Sequence, residues 1–202
     1  MYIYNMDSKE VKRIDMRQLF KQDYSEKTDV THIFVDNDNN IWLGALLASK
    51  VLKCRYLNGV LQAESTYDVF MPMSFAQDSR GTLWVGTLSY LFYAMRQNEK
   101  TFAPVQTFPQ MGTFIPGILP LSNGKIWVAS FMNPIKQINP DTWRNEDNPF
   151  GEEEWKACIR RSVFIPTALV KDSREDIWIG TVSNGLLHYS PDTGTLRMVE
   201  GK

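Results

Sequence analysis

The sequence predicts an all-β protein assembled from a repeated unit of four short strands, and three observations predict it. Trp42, Trp84, Trp127 and Trp178 stand in one recurring phrase, NIWLGA (40–45), GTLWVGT (81–87), KIWVAS (125–130) and EDIWIGT (176–182), at separations of 42, 43 and 51 residues. Each phrase follows a cluster of Asp, Asn, Ser and Gly (DNDNN, DSRGT, SNGK, DSRED), the chemistry of tight hairpin turns. Gly and Pro punctuate the chain about every ten residues, and helical spacing is almost absent.

A fixed spacing of about 40–50 residues is the period of a β-propeller blade. The first run of each copy is THIFV (31–35), MSFAQ (73–77), GILPL (117–121) and TALVK (167–171), and the Trp phrase is the second. Third and fourth runs follow as VLKCRYL and LQAESTY, YLFYAM and FAPVQTF, and GLLHYS and TLRMVE. In the third copy PIKQINP is the third run, and the fourth falls either near Trp143 or near Trp155–Ile159. The blades therefore span 28–68, 70–109, 113–160 and 163–202. The long third separation is accounted for by the acidic stretch NEDNPFGEEEW, an insertion near 145–158.

The N-terminus continues the pattern. Laid without gaps over 186–197, residues 1–12 place Tyr4 on Tyr189, Asp7 on Asp192, Ser8 on Thr193, Val11 on Leu196 and Lys12 on Arg197. Residues 1–16 thus read as the third and fourth strands of a further blade. The expectation is a β-propeller fragment of four complete four-stranded blades plus an N-terminal half-blade. Terminal repeats without caps leave bare apolar faces. The partners expected on that ground are the remaining blades of a longer propeller or a second copy of the chain.

The shape of the Trp phrase follows from packing. A blade sandwiched between neighbours buries its inner strands on both faces, so they read as continuous apolar runs, as in LWVGT and IWIGT. A Trp ring in the wedge between blades buries roughly 150–250 Å², worth roughly 4–6 kcal/mol of gross burial. The Gly or Ala two residues later suits a close backbone approach. Thr87, Ser130 and Thr181 then offer hydroxyls near the inner edge. Because all four copies carry the Trp, a structural role for Trp42, Trp84, Trp127 and Trp178 is favoured over an aromatic binding cage.

Composition excludes several classes. The 202 residues carry a net charge of −1, so nothing favours nucleic acid or an anionic membrane. No apolar run approaches ~18 residues, so no direct membrane insertion is expected. The start MYIYNMDSKE lacks the basic and apolar regions of a signal peptide. Cys54 and Cys158 form neither a CxxC pair nor a disulfide framework. The two histidines, His32 and His188, lie in strand positions, and no cluster suggests a metal site. The run from Asp36 to Asn40 begins like a calcium loop but has Ile41 and Leu47 where that loop needs Gly and Glu. No nucleophile, phosphate-loop or dinucleotide motif is present. The expectation is a protein without catalytic residues, metal or cofactor.

The pattern D-x-x-G-x-[IL]-W-[IV]-G-T followed by G-L-x-x-Y-x-P-x-T-G resembles the two-component regulator propeller repeat. Asp172 through Gly194 carries it most fully, with IWIGT and GLLHYSPDTG, and Asp78–Thr87 (DSRGTLWVGT) nearly as well. The third copy departs, with WVAS, no Asp in its turn and the insertion. The resemblance implies a periplasmic sensor region of a hybrid two-component system, non-catalytic, recognising an oligosaccharide-type nutrient cue, with the kinase elsewhere. Two other readings stay open: a protein-interaction scaffold, and a propeller lyase of the virginiamycin type, which also uses Gly-x-[IL]-Trp strands.

Propeller ligands generally sit over one face, built by the loops joining second and third strands and by the interblade loops. Tyr90, Phe131, Asn133 and Asn184 fall in those loops. Trp143 and Trp155 lie outside the repeated core position, and Arg160 neighbours Trp155. Aromatic planes beside Asn and Arg suit a sugar, which has apolar CH faces and many hydroxyls. These seven residues are the candidate ligand-binding set, against the alternative that the insertion folds back on its own blade.

Overall fold

The computed structural model describes residues 1–89, 91–105, 114–131, 135–146, 149–159 and 164–199. It divides into two compact units, Met1–Pro72 and Met73–Lys202. Among the described residues it holds four four-stranded antiparallel sheets and one two-stranded pair, in agreement with four blades and a half-blade.

In the first unit, β1 (Tyr2–Tyr4) and β2 (Val11–Arg13) form the pair, and β3 (Val30–Val35), β4 (Ile41–Ala45), β5 (Lys50–Leu57) and β6 (Val60–Asp68) form a sheet in chain order. Between them lie helix α1 (Met16–Phe20), capped by the Asp15 carboxylate on the Arg17 N–H, and a single 3-10 turn at Lys21–Asp23. The sequence reading placed no element there. Leu19 and Phe20 of α1, with Ile3 and Ile14, close over Leu43, Leu52, Cys54 and Leu61 of the sheet.

The second unit contains three sheets. The first is β7 (Pro72–Gln77), β8 (Leu83–Thr87), β9 (Phe92–Met95) and β10 (Ala103–Val105). The second is β11 (Gly117–Pro120), β12 (Ile126–Ala129), β13 (Lys136–Asn139) and β14 (Arg144–Glu146). The third is β15 (Pro166–Lys171), β16 (Ile177–Thr181), β17 (Leu186–Ser190) and β18 (Thr195–Met198). Of the two positions open for the fourth strand of the third copy, β14 occupies the one at Trp143. The other becomes helix α2 (Glu152–Cys158), inside the expected insertion.

Two cores bind these sheets face to face. Trp84 and Phe92 of one sheet meet Ile126, Val128 and Ile138 of the next. Trp127 in turn meets Ile177, Ile179, Leu187 and Leu196. The tryptophan side of each sheet therefore packs on the aliphatic side of the sheet that follows. Gly86 shows how close the approach is: a Cβ there would lie 2.4 Å from Ser74 Oγ and 2.6 Å from Ile115 Cγ2.

The hairpin before each Trp is built once and reused. Residue i accepts from the N–H of residue i+3 and donates to the carbonyl of residue i+4, as in Asp36 with Asn39 and Asn40 and Asp78 with Gly81 and Thr82. Residue i+3 takes positive φ in all four copies: Asn39 62°, Gly81 79°, Gly124 81° and Glu175 67°. This is a three-residue hairpin loop with a left-handed last position. In three copies residue i is an Asp, and its second oxygen accepts the indole N–H six residues later: Asp36–Trp42 2.8 Å, Asp78–Trp84 3.0 Å, Asp172–Trp178 3.1 Å. The turn and the core Trp are thus tied by one carboxylate. Even the irregularities repeat, with a bulge between Val30 and His32 and another between Pro166 and Ala168, equivalent positions in two copies.

The half-blade keeps the register of a complete sheet. Tyr4 pairs Val11, Ile3 pairs Lys12 and Tyr2 pairs Arg13, while Tyr189 pairs Leu196, His188 pairs Arg197 and Leu187 pairs Met198. The same offset that aligned the sequences aligns the strand pairs.

Candidate functional site

The loops joining second to third strands are closed by the hydroxyl that ends the Trp phrase. Thr87 Oγ1 donates to the Leu91 carbonyl at 2.6 Å and lies 2.7 Å from Ser89 Oγ. Thr181 Oγ1 donates to the Gly185 carbonyl at 2.7 Å and accepts the Asn184 N–H at 2.9 Å. These hydroxyls are committed to shaping loops. In the third copy Ser130 Oγ is buried without a hydrogen-bond partner among the described residues.

Phe131 follows that serine. Its N–H donates to the Phe114 carbonyl at 3.0 Å, and the two rings lie 4.9 Å apart, making a half-buried aromatic pair beside β11 and β12. Asn184 is buried, its side-chain amide 3.5 Å from Ser183 Oγ. Tyr90, Asn133 and Arg160 lie outside the described residues.

Trp143 and Trp155 stand in different clusters. Trp143, at φ 56°, meets Trp84 edge-on at 6.3 Å and carries the Arg96 guanidinium 4.5 Å from its ring. Trp155, on α2, stacks on Phe150 at 5.4 Å and meets Phe164 edge-on at 4.7 Å. The insertion is folded onto the third sheet, with Cys158 Sγ 3.6 Å from the Leu196 carbonyl. The four repeat tryptophans are dispersed, one per sheet.

A second region was not singled out by sequence. On the hairpin-turn side of the second unit, a cavity of about 370 Å³ is walled by Arg80, Arg96, Gln97, Asn98 and Asp141. A neighbouring one of about 400 Å³ shares Arg80 and Asp141 and adds Ser122, Asn123 and Lys125. The Arg80 guanidinium pairs with Asp141, tying the turns of consecutive sheets. Arg96 is likewise paired, with Glu99 of the same lining, so both guanidiniums are already matched by carboxylates. The Arg in DSRGT was visible in the sequence; its meeting with the turn after β13 was not.

Among the described residues the two histidines lie in different units. His188 is buried on β17, 3.0 Å from Asp176 Oδ2 through Nε2, with Nδ1 accepting from Arg197 Nε at 3.2 Å. His32, on β3 in the other unit, lies 3.0 Å from Thr31 Oγ1, and burial lowers its pKa. Among the described residues no group of His, Cys, Asp and Glu could hold a metal ion, and no helix is long and apolar enough to cross a membrane.

Residues 67–89, which run from the end of β6 through the first hairpin of the second unit, match the family model described as two component regulator propeller. No curated protein sequence matches the chain. Solved structures share the fold at low identity. An extracellular domain assigned to a hybrid two-component system of B. thetaiotaomicron matches at 15% identity and TM-score 0.65, over 92% of this chain and 24% of that one. A second such domain from the same organism matches at 14% and 0.62, over 92% and 23%. Virginiamycin B lyase from Staphylococcus aureus matches at 14% and 0.72, over 97% and 61%. The chain spans about three fifths of the lyase and about a quarter of the sensor domains. It is a propeller domain related in fold to the extracellular domains of two-component sensors.

Proposed function

We propose that this chain is part of the periplasmic recognition propeller of a hybrid two-component sensor, that it is non-catalytic, and that its cue is of oligosaccharide type. The family match over residues 67–89 supports this reading more than any other observation. The ligand is taken at the loop end of the sheets, where the Phe114–Phe131 pair supplies an aromatic surface; Tyr90, Asn133 and Asn184 belong to the binding set on the ground of their loop positions in the sequence. Trp143, Trp155 and Arg160 complete the set expected from sequence. The packed surroundings of Trp143 and Trp155 make their first contribution one of shape.

The lyase reading is weaker on chemical grounds. A catalytically inactive virginiamycin B lyase is a histidine-to-alanine variant. In this chain both ring nitrogens of His188 are already engaged, by Asp176 and Arg197. The scaffold reading is separated from the recognition reading by experiment. Calorimetry against a panel of oligosaccharides should give saturable binding that Phe131→Ala abolishes without lowering the melting temperature by more than a few degrees. Absence of binding to every glycan, with tight capture of a protein partner, would favour the scaffold.

A further inference from the structure

The first complete blade departs from the repeat in two ways, and both departures meet in one place. Its outer strand β6 runs nine residues, where the outer strands β10, β14 and β18 run three, three and four. The segment entering it, between β2 and β3, carries α1 and the 3-10 turn, where only residues 69–71 join β6 to β7. Together they wall a cavity of about 570 Å³ between β2, α1 and the start of β6. That volume lies within the range of small-molecule sites. A local break in an otherwise consistent pattern is where function is expected.

The cavity has an apolar floor and a cationic rim. Leu19 and Leu61, buried in the core of the unit, form part of its lining, and Gln18 and Gln62 add side-chain amides. Lys12 is the cross-strand partner of Ile3, so it stands on the core-facing side of β2. Its Nζ donates to the Gly59 carbonyl at 2.6 Å, a bond that leaves its charge unmatched. Lys21, just after α1, also lines the cavity and makes no side-chain hydrogen bond or ion pair among the described residues. Arg13 lines it too but stands on the Tyr2 side of β2, so Lys12 and Lys21 are the two cations committed to this space. The carboxylate of the lining, Asp15, caps α1 and is held by Arg17 Nη2 at 2.8 Å. Asp23 is matched by Lys50, and Glu64 by Lys53 and Arg55.

Further blades of a longer propeller would leave this space open. Strands completing the half-blade pair with β1 along its edge away from β2, as β16 pairs with β17 away from β18. A preceding blade would pack on the side of Tyr2, Tyr4 and Val11, opposite Ile3 and Lys12.

We infer that this cavity binds a small dicarboxylate, with one carboxylate on Lys12, the other on Lys21 and the carbon frame on Leu19 and Leu61. Two unmatched ammonium groups call for two carboxylates, and charge-assisted hydrogen bonds of this kind are among the stronger ones. The amides of Gln18 and Gln62 suit hydroxyls on the same frame. A neutral sugar would leave both cations unmatched, and the site shares no residue with the set proposed for the oligosaccharide. A simple hydroxy dicarboxylic acid and an acidic disaccharide both carry the required chemistry.

Calorimetry at low ionic strength, with malate and with digalacturonate, tests this. Saturable binding of malate assigns a free dicarboxylic acid, and binding of digalacturonate alone assigns a sugar acid; either supports the site. Lys12→Gln and Lys21→Gln should each weaken binding by about tenfold, the loss of one hydrogen bond to a charged group. Gln62→Glu, which adds a carboxylate to the wall, should weaken it at least as much. Lys156→Gln, an exposed cation on α2, and Phe131→Ala should leave it unchanged. If Lys12→Gln loses the native circular dichroism spectrum, Lys21→Gln and Gln62→Glu, both on exposed side chains, carry the test. Binding of neither acid would overturn the proposal, as would binding that Lys21→Gln and Gln62→Glu leave intact or that Phe131→Ala abolishes. A chain that binds a neutral oligosaccharide but neither acid would overturn this site and leave the recognition reading standing.

Discussion

The indole of Trp127 donates to Gln137 Oε1 at 3.1 Å, a partner on the neighbouring strand, where the other three repeat tryptophans donate to an Asp in the preceding turn. Leu121 stands at the place of that Asp and keeps only its backbone bonds, its N–H to the Lys125 carbonyl and its carbonyl to the Gly124 N–H. A buried indole N–H needs an acceptor. Gln137 directly opposes Trp127 in the β12–β13 ladder and supplies one. Its own amide donates to Glu146, which Lys125 and Asn139 also hold, at 2.6 and 3.0 Å.

Gln137→Leu should therefore cost about 1–3 kcal/mol, the range for leaving a buried donor unpaired. Leu121→Asp on that background returns the carboxylate acceptor used in the other copies and should recover part of the loss. Urea midpoints of the wild type, the single variants and the double variant read this directly. A midpoint unchanged by Gln137→Leu would mean that the indole has another partner.

Asp78 and Asp172 play the same role in different surroundings. Asp78 is 4% exposed and accepts from the N–H groups of Arg80 and Thr82 at 2.9 Å each, besides the fully buried Trp84. Asp78→Ala strands three donors, two of them buried, and should cost about 2–4 kcal/mol. Asp172→Ala should cost under about 1 kcal/mol, because water reaches the half-exposed Trp178. Equal losses in chemical denaturation would contradict this ordering.

Gly86→Ala should be more damaging than Gly180→Ala. The new methyl at 86 would overlap Ser74 Oγ and the Ile115 side chain, and Ser74 is itself fixed by donation to the Ile115 carbonyl at 2.8 Å. Overpacking of that kind costs about 1–3 kcal/mol. At 180 the nearest atom is Thr167 Oγ1, 3.1 Å away on an exposed residue, which can give way. A larger drop in melting temperature for Gly180→Ala would refute the close-approach account.

Cys54 is fully buried in the first unit, and burial, aided by the nearby Glu64 carboxylate, pushes its thiol up to about 12. The thiolate is the reactive form. At pH 8 a thiol reagent should leave Cys54 unmodified in the native chain and label it within the dead time of unfolding by urea. Rapid native labelling at Cys54, located by peptide mapping, would show that the first unit opens far more readily than its core implies.

What was legible in the sequence is what depends on local pattern. The Asp-to-Trp spacing of six is a turn plus one strand step, so a period search finds it, and the register of β1–β2 follows from twelve aligned residues. The exchange of Leu121 for Gln137 was not legible, because the compensating residue is a cross-strand neighbour and the repeat alignment has no reason to inspect it. Helix α2 was hidden within an acidic insertion whose apolar residues, Trp155 and Cys158, find partners further along the chain, among them Phe164 and β18. The sequence sets Trp143 and Trp155 apart from the repeat; it cannot tell that one rests on Trp84 and the other on Phe150.

The turn carboxylates also set an acid limit on the fold. Burial works to raise the pKa of Asp36, but the Trp42 indole, the Asn40 side chain and the N–H groups of Asn40 and Asp38 outweigh it, and the carboxyl ends below 3.8. The Trp178 bond, followed by the Arg174 N–H, holds Asp172 below the same value. A carboxyl depressed in the fold contributes stability that is complete above its unfolded value and lost as pH falls through its folded one. Stability should therefore change little on these groups' account between pH 7 and about 5 and fall below about pH 4, where the unfolded chain takes up protons that the folded chain refuses. Asp36→Asn and Asp172→Asn keep an oxygen for the indole but cannot titrate. Each should flatten the fall of the urea midpoint in the acid range by up to about one proton's worth of slope. An unaltered slope in both variants would mean that other carboxylates carry the acid sensitivity.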